Sequence, residues 1–163
     1  MAFDVFLQIG TIPGESTDSA HSNWIEVSSF SLGVSQNSSG SRSDAGAASG
    51  GRADWSDFAV TKNMDKASPK LMLSCAKGEH IASVTVNLCR ATGDKTKYME
   101  YKMSDVIVTN VSTSGAAAGS LPTESVTFNF GKIETTYFVT DHKTGKSSGQ
   151  VASNWDLTSN KGA

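Results

Sequence analysis

Apolar and polar residues alternate along several stretches of this chain. A period of two residues places every second side chain on the same face of a β-strand, so alternation is typical of strands with one buried face. The apolar positions are Phe3, Val5, Leu7 and Ile9; Val84, Val86 and Leu88; Met99, Tyr101, Met103, Ile107 and Val111; and Val151, Trp155 and Leu157. The pattern predicts a mainly β protein.

Two of the predicted strands change parity partway along. The apolar residues concerned are Ile25 and Val27, then Phe30, Leu32 and Val34; and Val126, Phe128 and Phe130, then Ile133, Tyr137 and Val139. An inserted residue that forms a β-bulge would restore the buried face, and Gly131 stands where the later strand needs one. The alternative is that both faces of these strands are covered. Bulges bend strands, and bent sheets close into barrels, so the first interpretation predicts a closed or strongly curved β-fold, of which a small closed antiparallel β-barrel is the form that the family resemblance described below implies.

Residues 68–78 follow a helical pattern instead. Ser68 suits the N-cap, Pro69 suits the first turn, and Gly78 suits the left-handed end of a helix. An apolar stripe is predicted at Leu71, Met72, Cys75 and Ala76. A helix this short is not stable alone, so we expect it to flank the barrel and dock against one end or side of it.

Three stretches between the predicted strands have the composition of loops. The longest, residues 36–54, contains no apolar side chain larger than Ala. Extended loops of this length are generally functional or disordered. The other two span residues 112–124 and 140–150. Neither an internal repeat nor a linker is visible, so residues 1–163 are predicted to form a single domain.

The charge and composition narrow the classes of function. Charged residues make up 18% of the chain and the net charge is −2, and the lack of a basic run among aromatic residues argues against nucleic-acid binding. No apolar stretch approaches the roughly 18 residues of a membrane span, so membrane insertion is not expected. Residues 1–9 lack the features of a secretory signal peptide, which predicts a cytoplasmic protein or one exported by another route.

No group of side chains predicts catalysis, a metal site or a cofactor. The histidines fall in predicted loops or at strand edges, where we expect them to be exposed: His21, His80 and His142. Cys75 and Cys89 lie on different predicted elements and are expected to be reduced and packed. Residues 145–149 match the G-x-S-x-G string of hydrolases but lack its strand and helix context, so they predict a hairpin loop.

Five blocks of the sequence occur together in a distinctive order. They are residues 3–9 with 12–16, 24–27 with 30–33, 58–62 with 65–71, 78–80 and 121–133. Taken together they resemble the haemolysin-coregulated protein (Hcp) family of the bacterial type VI secretion machine. The resemblance covers essentially the whole chain, and the Ser- and Ala-rich residues 36–54 are its main departure.

The resemblance implies an Hcp-like fold, related to phage tail tubes, that assembles into six-membered rings. Such rings stack into an inner tube, which works with a contractile sheath, a spike and a baseplate and is driven into another cell with effector proteins in its lumen. Under this interpretation the machine itself exports the protein. The long loop is expected to reach a neighbouring subunit or ring, with candidate polar contacts at Arg42, Asp44, Arg52 and Asp54. The alternatives are a monomeric secreted binding module and a serine hydrolase that uses Ser147.

Overall fold

Eleven β-strands and one α-helix make up the part of the chain that this computed structural model describes, residues 2–39, 49–91, 93 and 95–163. The helix, α1, spans Ser68–Lys77. The strands are β1 (Phe3–Ile9), β2 (Ile25–Val27), β3 (Ser29–Ser31), β4 (Val34–Ser39), β5 (Ser49–Trp55), β6 (Phe58–Asn63), β7 (His80–Arg90), β8 (Lys97–Ser114), β9 (Thr123–Thr140), β10 (Ser147–Asp156) and β11 (Lys161–Gly162). The predicted mainly β fold is confirmed. Within the described residues, no helix has the length and apolar character needed to cross a membrane.

Nine strands form one antiparallel sheet in the order β11-β10-β9-β8-β7-β1-β2, with β6 beside β9 and β3 beside β6. Strand β9 pairs with β8 along most of its length, while its other edge is divided between β6 and β10. Strands β4 and β5 form a separate two-stranded sheet. The hydrogen-bonded path of the main sheet runs from β11 to β2 without returning to its start, so the predicted closed barrel is not confirmed.

A single apolar cluster joins strands β1, β2, β6, β7, β8 and β9 to the helix. The alternation predicted for β1 and β7 is confirmed at four central positions, which are buried: Val5, Leu7, Val84 and Val86. It is wrong at the start of β1, because Phe3 is 46% exposed, and Phe6 on the opposite face is buried as well. Leu71 is the contribution of α1 to this cluster. Burying a side chain of this size stabilises the fold by roughly 2 kcal/mol. The largest fully buried apolar members of the cluster are Phe58, Phe128, Leu7, Ile25, Leu71, Met103 and Ile133.

Strand β8 changes its buried face at Asp105. Met103 is buried before that point, whereas Val106 and Val108 are buried after it. The backbone of Asp105 has a φ angle of 52°, a left-handed conformation that interrupts the regular alternation of a strand. The single parity predicted from Met99 to Val111 is therefore wrong, and Ile107 lies outside the buried set.

Strand β9 changes its buried face opposite the same point. The inward positions shift from Phe130 to Ile133, as the parity pattern predicted. The bulge predicted at Gly131 is wrong, however, because the pairing with β8 continues past Gly131 without a register shift, and the shift falls at Thr109 of β8. The sequence of β9 alone could not show that the strand opposite it absorbs the irregularity.

The other predicted parity change corresponds to an interruption at Ser28. Strand β2 pairs with β1, and strand β3 pairs with β6. The backbone N–H of Ser28 donates to the carbonyl oxygen of Thr61 at 2.8 Å, and its hydroxyl donates to the same oxygen at 2.7 Å. The continuous bulged strand that was predicted here is therefore two short strands with different partners.

Helix α1 occupies the predicted segment, but its cap and its buried face differ from the prediction. Ala67 is the N-cap and makes no side-chain capping bond, while Ser68 is the first helical residue. Gly78 ends the helix with a φ angle of 62°, as predicted. Met72 of the predicted stripe is 51% exposed. The buried residues of the helix are Ser68, Leu71 and Ser74.

The predicted long loop is partly strand. Residues at its two ends belong to the β4–β5 hairpin, in which Val34 pairs with Trp55 and Gln36 pairs with Ala53. Residues 40–48 lie outside the described residues. Strand pairing depends on backbone hydrogen bonds, so these ends can pair even though their sequence lacks large apolar side chains. The two shorter loops become connections of residues 115–122 and 141–146.

The connection between β1 and β2 supplies a stability test. A Cβ atom at Gly14 would lie 2.6 Å from the Cα of Ile25, whereas one at Gly10 would meet nothing within 4 Å. Because backbone atoms cannot yield to such a clash, we expect Gly14→Ala to lower the free energy of unfolding by about 3 kcal/mol. Gly10→Ala should change it by about 0.5 kcal/mol or less. Denaturant unfolding of the two variants measures the difference, and equal midpoints would contradict the packing described here.

Candidate assembly surfaces

Apolar side chains remain exposed where the long strands extend beyond the core. Tyr137 of β9 lies directly opposite Val151 of β10, and Val139 follows two positions along, so the three side chains share a face. Tyr137 also faces Met99 across the β8–β9 pairing. Phe3 and Tyr137 line the same shallow depression at this end of the sheet. We call Phe3, Tyr137, Val139 and Val151, all of them exposed, the end patch.

The end patch continues the core face of the sheet. Ile133 is fully buried on β9, and Tyr137 lies four positions further along the same face. On β8, buried Met103 has the same relation to Met99. A strand face that is apolar both inside the core and beyond it is typical of a surface that another chain covers.

Strand β10 offers a backbone edge beside this patch. It pairs with β9 along its length, but β11 covers its other side only at Trp155 and Asp156. Among the described residues, no strand pairs with that side from Ser147 to Ser153. An open strand edge presents unpaired N–H and C=O groups on which a further strand can add.

The β4–β5 hairpin is anchored to the rest of the protein at its base. Trp55 packs edge-on against Phe130, with ring centroids 6.0 Å apart. The backbone N–H of Gly33 donates to the hydroxyl of Ser56 at 2.8 Å. An isolated two-stranded sheet is only marginally stable in water, so contact with another chain would favour this hairpin.

The four predicted contact residues are only partly placed by the structure. Arg42 and Asp44 lie outside the described residues. The guanidinium of Arg52 donates to the carbonyl oxygen of Leu157 in the same chain at 2.8 Å. Asp54 is exposed on β5, opposite Ser35. Arg52 and Asp54 therefore share the hairpin, and Arg52 already has an intramolecular partner.

His21 is buried, so the prediction that all three histidines are exposed is wrong for this residue. Its ring stacks on Phe6 with centroids 4.3 Å apart. Its Nδ1 lies 2.9 Å from Oδ1 of Asp18, and the amide nitrogen of Asn87 lies 3.1 Å from its Nε2. Asn87 donates to Nε2 when Nδ1 carries the ring proton. Sequence analysis missed this site because Phe6 and Asn87 come from two other strands.

The side chains of Cys89, His21 and Asp18 are arranged in the sequence of a Cys–His–Asp triad, but the thiol is not activated. The sulfur of Cys89 lies 3.9 Å from Nε2 of His21. Burial, and then the negative charge of Asp18, raise the pKa of the Cys89 thiol to about 11. A thiol that is protonated at neutral pH and fully buried does not serve as a nucleophile.

The structure also shows the surroundings of the G-x-S-x-G string and of the possible metal ligands. The G-x-S-x-G string begins in the connection between β9 and β10, with Gly145 at a φ angle of 69°, and continues into β10 from Ser147. The predicted hairpin loop is confirmed for residues 145–146, whereas residues 147–149 belong to the strand. In residues 2–39, 49–91, 93 and 95–163, no group of three or more His, Cys, Asp or Glu side chains is placed to hold a metal ion.

Comparison with known proteins identifies the family. A family model described as "Type VI secretion system effector, Hcp" matches residues 6–137. The chain is 34% identical to protein hcp1 of Pseudomonas aeruginosa over 161 residues, which is 98% of each chain. The chain belongs to the Hcp family of type VI secretion proteins. The family predicted from the five sequence blocks is thereby confirmed, and it is a family of structural, secreted proteins and not of enzymes.

Solved structures of Hcp proteins share the fold. A type six secretion system protein that is 33% identical superposes with a TM-score of 0.93 and covers 99% of this chain and 100% of its own. Hcp1 from Salmonella typhimurium is 30% identical, with a TM-score of 0.82 and full coverage of both chains. A type VI secretion system effector from Yersinia pestis is 32% identical, with a TM-score of 0.76 over 94% of this chain and 99% of its own.

The Asp18 carboxylate of the His21 cluster predicts a pH dependence of stability in this Hcp protein. Hydrogen bonds from Lys95 and then from His21 lower the pKa of Asp18 from 3.8 to about 2. Because the unfolded chain then binds a proton more readily than the folded chain, this contribution to stability is present above pH 4 and is lost towards pH 2. The free-energy difference between the parent protein and Asp18→Asn should therefore shrink across this window.

Denaturant unfolding at fixed pH values between 6 and 2 measures that difference. Glu15→Gln is the control, because Glu15 is an exposed carboxylate in the same connection between β1 and β2. A constant difference between the parent and Asp18→Asn across the window would contradict the assignment to Asp18.

Proposed function

We propose that this chain is a structural subunit of the type VI secretion inner tube. Six copies form a ring, the rings stack, and the tube is expelled into a target cell while it carries or chaperones effector proteins. The observation that carries this proposal is the match to the Hcp family over residues 6–137, together with near-complete coverage of protein hcp1. The whole chain, residues 1–163, acts as one tube-subunit domain with no catalytic role and no cofactor.

The exposed surfaces support assembly into a ring. A closed ring uses two different surfaces of each subunit, which meet at every interface. The end patch and the open edge of β10 provide one surface that is apolar and can add a strand. The β4–β5 hairpin provides a second, which projects from the main sheet as a separate two-stranded unit.

The proposal includes a closed barrel within each subunit. Strands β2 and β3 are separated only by Ser28, and they connect β1 on one side to β6 on the other. If this bent strand counts as one, the path β1, β2–β3, β6, β9, β8 and β7 returns to β1. The two hydrogen bonds from Ser28 to Thr61 support closure at the bend.

The other components follow from the tube role. The sheath, the spike and the baseplate are the partners outside the ring, and effector proteins occupy the lumen. Nucleic-acid binding and membrane insertion have no part in this role. The protein assembles in the bacterial cytoplasm and leaves through the machine that it helps to build, without a cleaved signal peptide.

The solution mass tests this proposal. Six chains of 17.1 kDa predict a closed ring of roughly 100 kDa, with annular particles in negative-stain images of the same peak. Val151→Lys should convert most of the ring to monomer, because a charge in the end patch cannot be desolvated at an interface without a partner. Light scattering at micromolar concentration measures both masses.

Leu121→Lys is the matched control, since Leu121 and Val151 are each 67% exposed. Leu121 lies in the connection between β8 and β9, away from the end patch, so this variant should keep the ring mass. A parent protein that stays monomeric at high concentration would instead favour a secreted binding module. Rings that survive Val151→Lys would remove the end patch from the interface while leaving the tube role intact.

Stacking between rings has a separate test. We hypothesise that Arg42, Asp44, Arg52 and Asp54 make polar contacts across rings, each of which contributes on the order of 1 kcal/mol or less if exposed. Repetition around six subunits would make their sum effective. The combined replacement of Arg42, Asp44, Arg52 and Asp54 by Ala keeps the backbone of the hairpin for the ring interface, and it should therefore abolish tubes in electron micrographs while single rings persist. Unchanged tube length in that variant would exclude these four side chains from stacking.

A further inference from the structure

A buried group of charged residues lies beneath the first turn of helix α1. Lys62 of β6 pairs in register with Glu124 of β9, and these side chains are 0% and 1% exposed. The Lys62 ammonium lies 2.8 Å from Oε2 of Glu124 and 2.9 Å from Oδ1 of Asp65. Asp65 belongs to the connection that leads from β6 into the helix. We call Lys62, Asp65, Ser68 and Glu124 the helix-base network.

Ser68 connects the helix to this network. Its hydroxyl donates to Oε2 of Glu124 at 2.7 Å and accepts from the backbone N–H of Asp65 at 3.0 Å. The ammonium of Lys62 lies 3.4 Å from the same oxygen. A serine hydroxyl donates one hydrogen bond and accepts two, so the capacity of Ser68 is filled. The first residue of α1 is thereby held at a defined point on β6 and β9.

The network also supplies the charge that the helix lacks. Its first turn contains no acidic residue, and its N-cap, Ala67, makes no side-chain capping bond. The backbone N–H of Ala67 is satisfied by Oδ1 of Asp65 at 3.0 Å. The carboxylate of Glu124, bonded to Ser68, lies at the positive end of the helix dipole, where negative charge is favourable.

Apolar packing alone would place this helix poorly. Leu71 is its one large side chain that is fully buried, while Met72 and Leu73 are about half exposed. Contacts between apolar groups have no preferred direction, so a helix held mainly by one leucine can rotate or slide. Hydrogen bonds at 2.7–3.0 Å to fixed strands do specify direction.

The composition of the network argues against a role in raising global stability. A buried ion pair loses hydration on folding, and well-packed apolar residues in its place are often neutral or stabilising. Among the described residues, Oε1 of Glu124 is buried without a hydrogen-bond partner, which adds to that cost. We propose that the helix-base network determines the position of α1 on strands β6 and β9 while contributing little to the stability of the whole chain.

Hydrogen exchange on the purified full-length protein tests this proposal, with Ser68→Ala as the variant. Loss of a hydrogen bond to a charged group should accelerate amide exchange in α1 and in residues 63–67 by about tenfold or more. Exchange in β7 and β8 should change by less than about threefold, since local opening of the helix does not expose those strands. The mass of each sample is measured as well, so that exchange caused by ring dissociation is recognised.

Ser74→Ala is the matched control. Ser74 is also buried on α1, but its hydroxyl has no hydrogen-bond partner among the described residues. This variant removes the same atom from the same helix without touching the network, so exchange in α1 should remain within about threefold of the parent. Equal acceleration of amide exchange in α1 by both serine variants would overturn the proposal. Unchanged exchange in α1 of the Ser68→Ala variant would also overturn it.

The combined replacement of Lys62 by Met, Glu124 by Leu and Asp65 by Asn separates placement from stability. Its denaturant midpoint should equal or exceed that of the parent, because the network then holds no charge and an amide oxygen at position 65 can still accept from the backbone N–H of Ala67. Exchange in α1 should still be accelerated about tenfold or more, because the bond from Ser68 is lost. A lowered midpoint with uniform acceleration across all strands would show that the network supports the whole fold and would overturn the proposal.

Discussion

Strand β9 pairs through its backbone with three other strands, and the rest of the structure depends on that pairing. Strand β8 covers one of its edges, while β6 and β10 share the other. The change of neighbour takes place at Gly131, whose carbonyl oxygen accepts from the backbone N–H of Leu157 at 2.8 Å. Because paired strands fix the direction of their side chains, this division also determines which residues of β9 face the core.

The two halves of β9 therefore have different surroundings. In the first half, Val126 and Phe128 are fully buried against the core that β6 completes. In the second half the same strand extends with β8 and β10 beyond the apolar cluster, and Tyr137 and Val139 are exposed. One long strand thus supplies both the stable interior of the subunit and the surface that we assign to assembly.

Some charged side chains of this protein are buried, and some large apolar side chains are exposed. Lys62 and Glu124 are buried, whereas Tyr137 and Val151 of the end patch are exposed. Charges inside specify geometry because their hydrogen bonds are directional, and apolar groups outside provide contact area for another chain. Both features are compatible with the proposed role as a subunit of a repeating assembly.

The local pattern was sufficient for the central residues of β1 and β7 and for the end of the helix. The buried faces of β1 and β7 and the left-handed Gly78 follow from side-chain period and backbone preference, which act over a few neighbouring residues. The sequence blocks also sufficed for the family. The local pattern failed at Asp105, whose left-handed φ angle of 52° reverses the buried face of β8. No residue near Asp105 in sequence signals that change, because the strand paired with it helps to maintain it.

The functional surfaces show the same division between local and distant effects. Alternation placed Tyr137, Val139 and Val151 on the apolar faces of their strands. Only the structure showed that the core does not extend to them and that they are exposed. Ser68 had the character of an N-cap, yet its partner is Glu124 on another strand. His21 had the surroundings of a turn and is buried by Phe6 and Asn87. Secondary structure thus follows from contacts along the chain, whereas burial and polar pairing depend on residues that folding brings together.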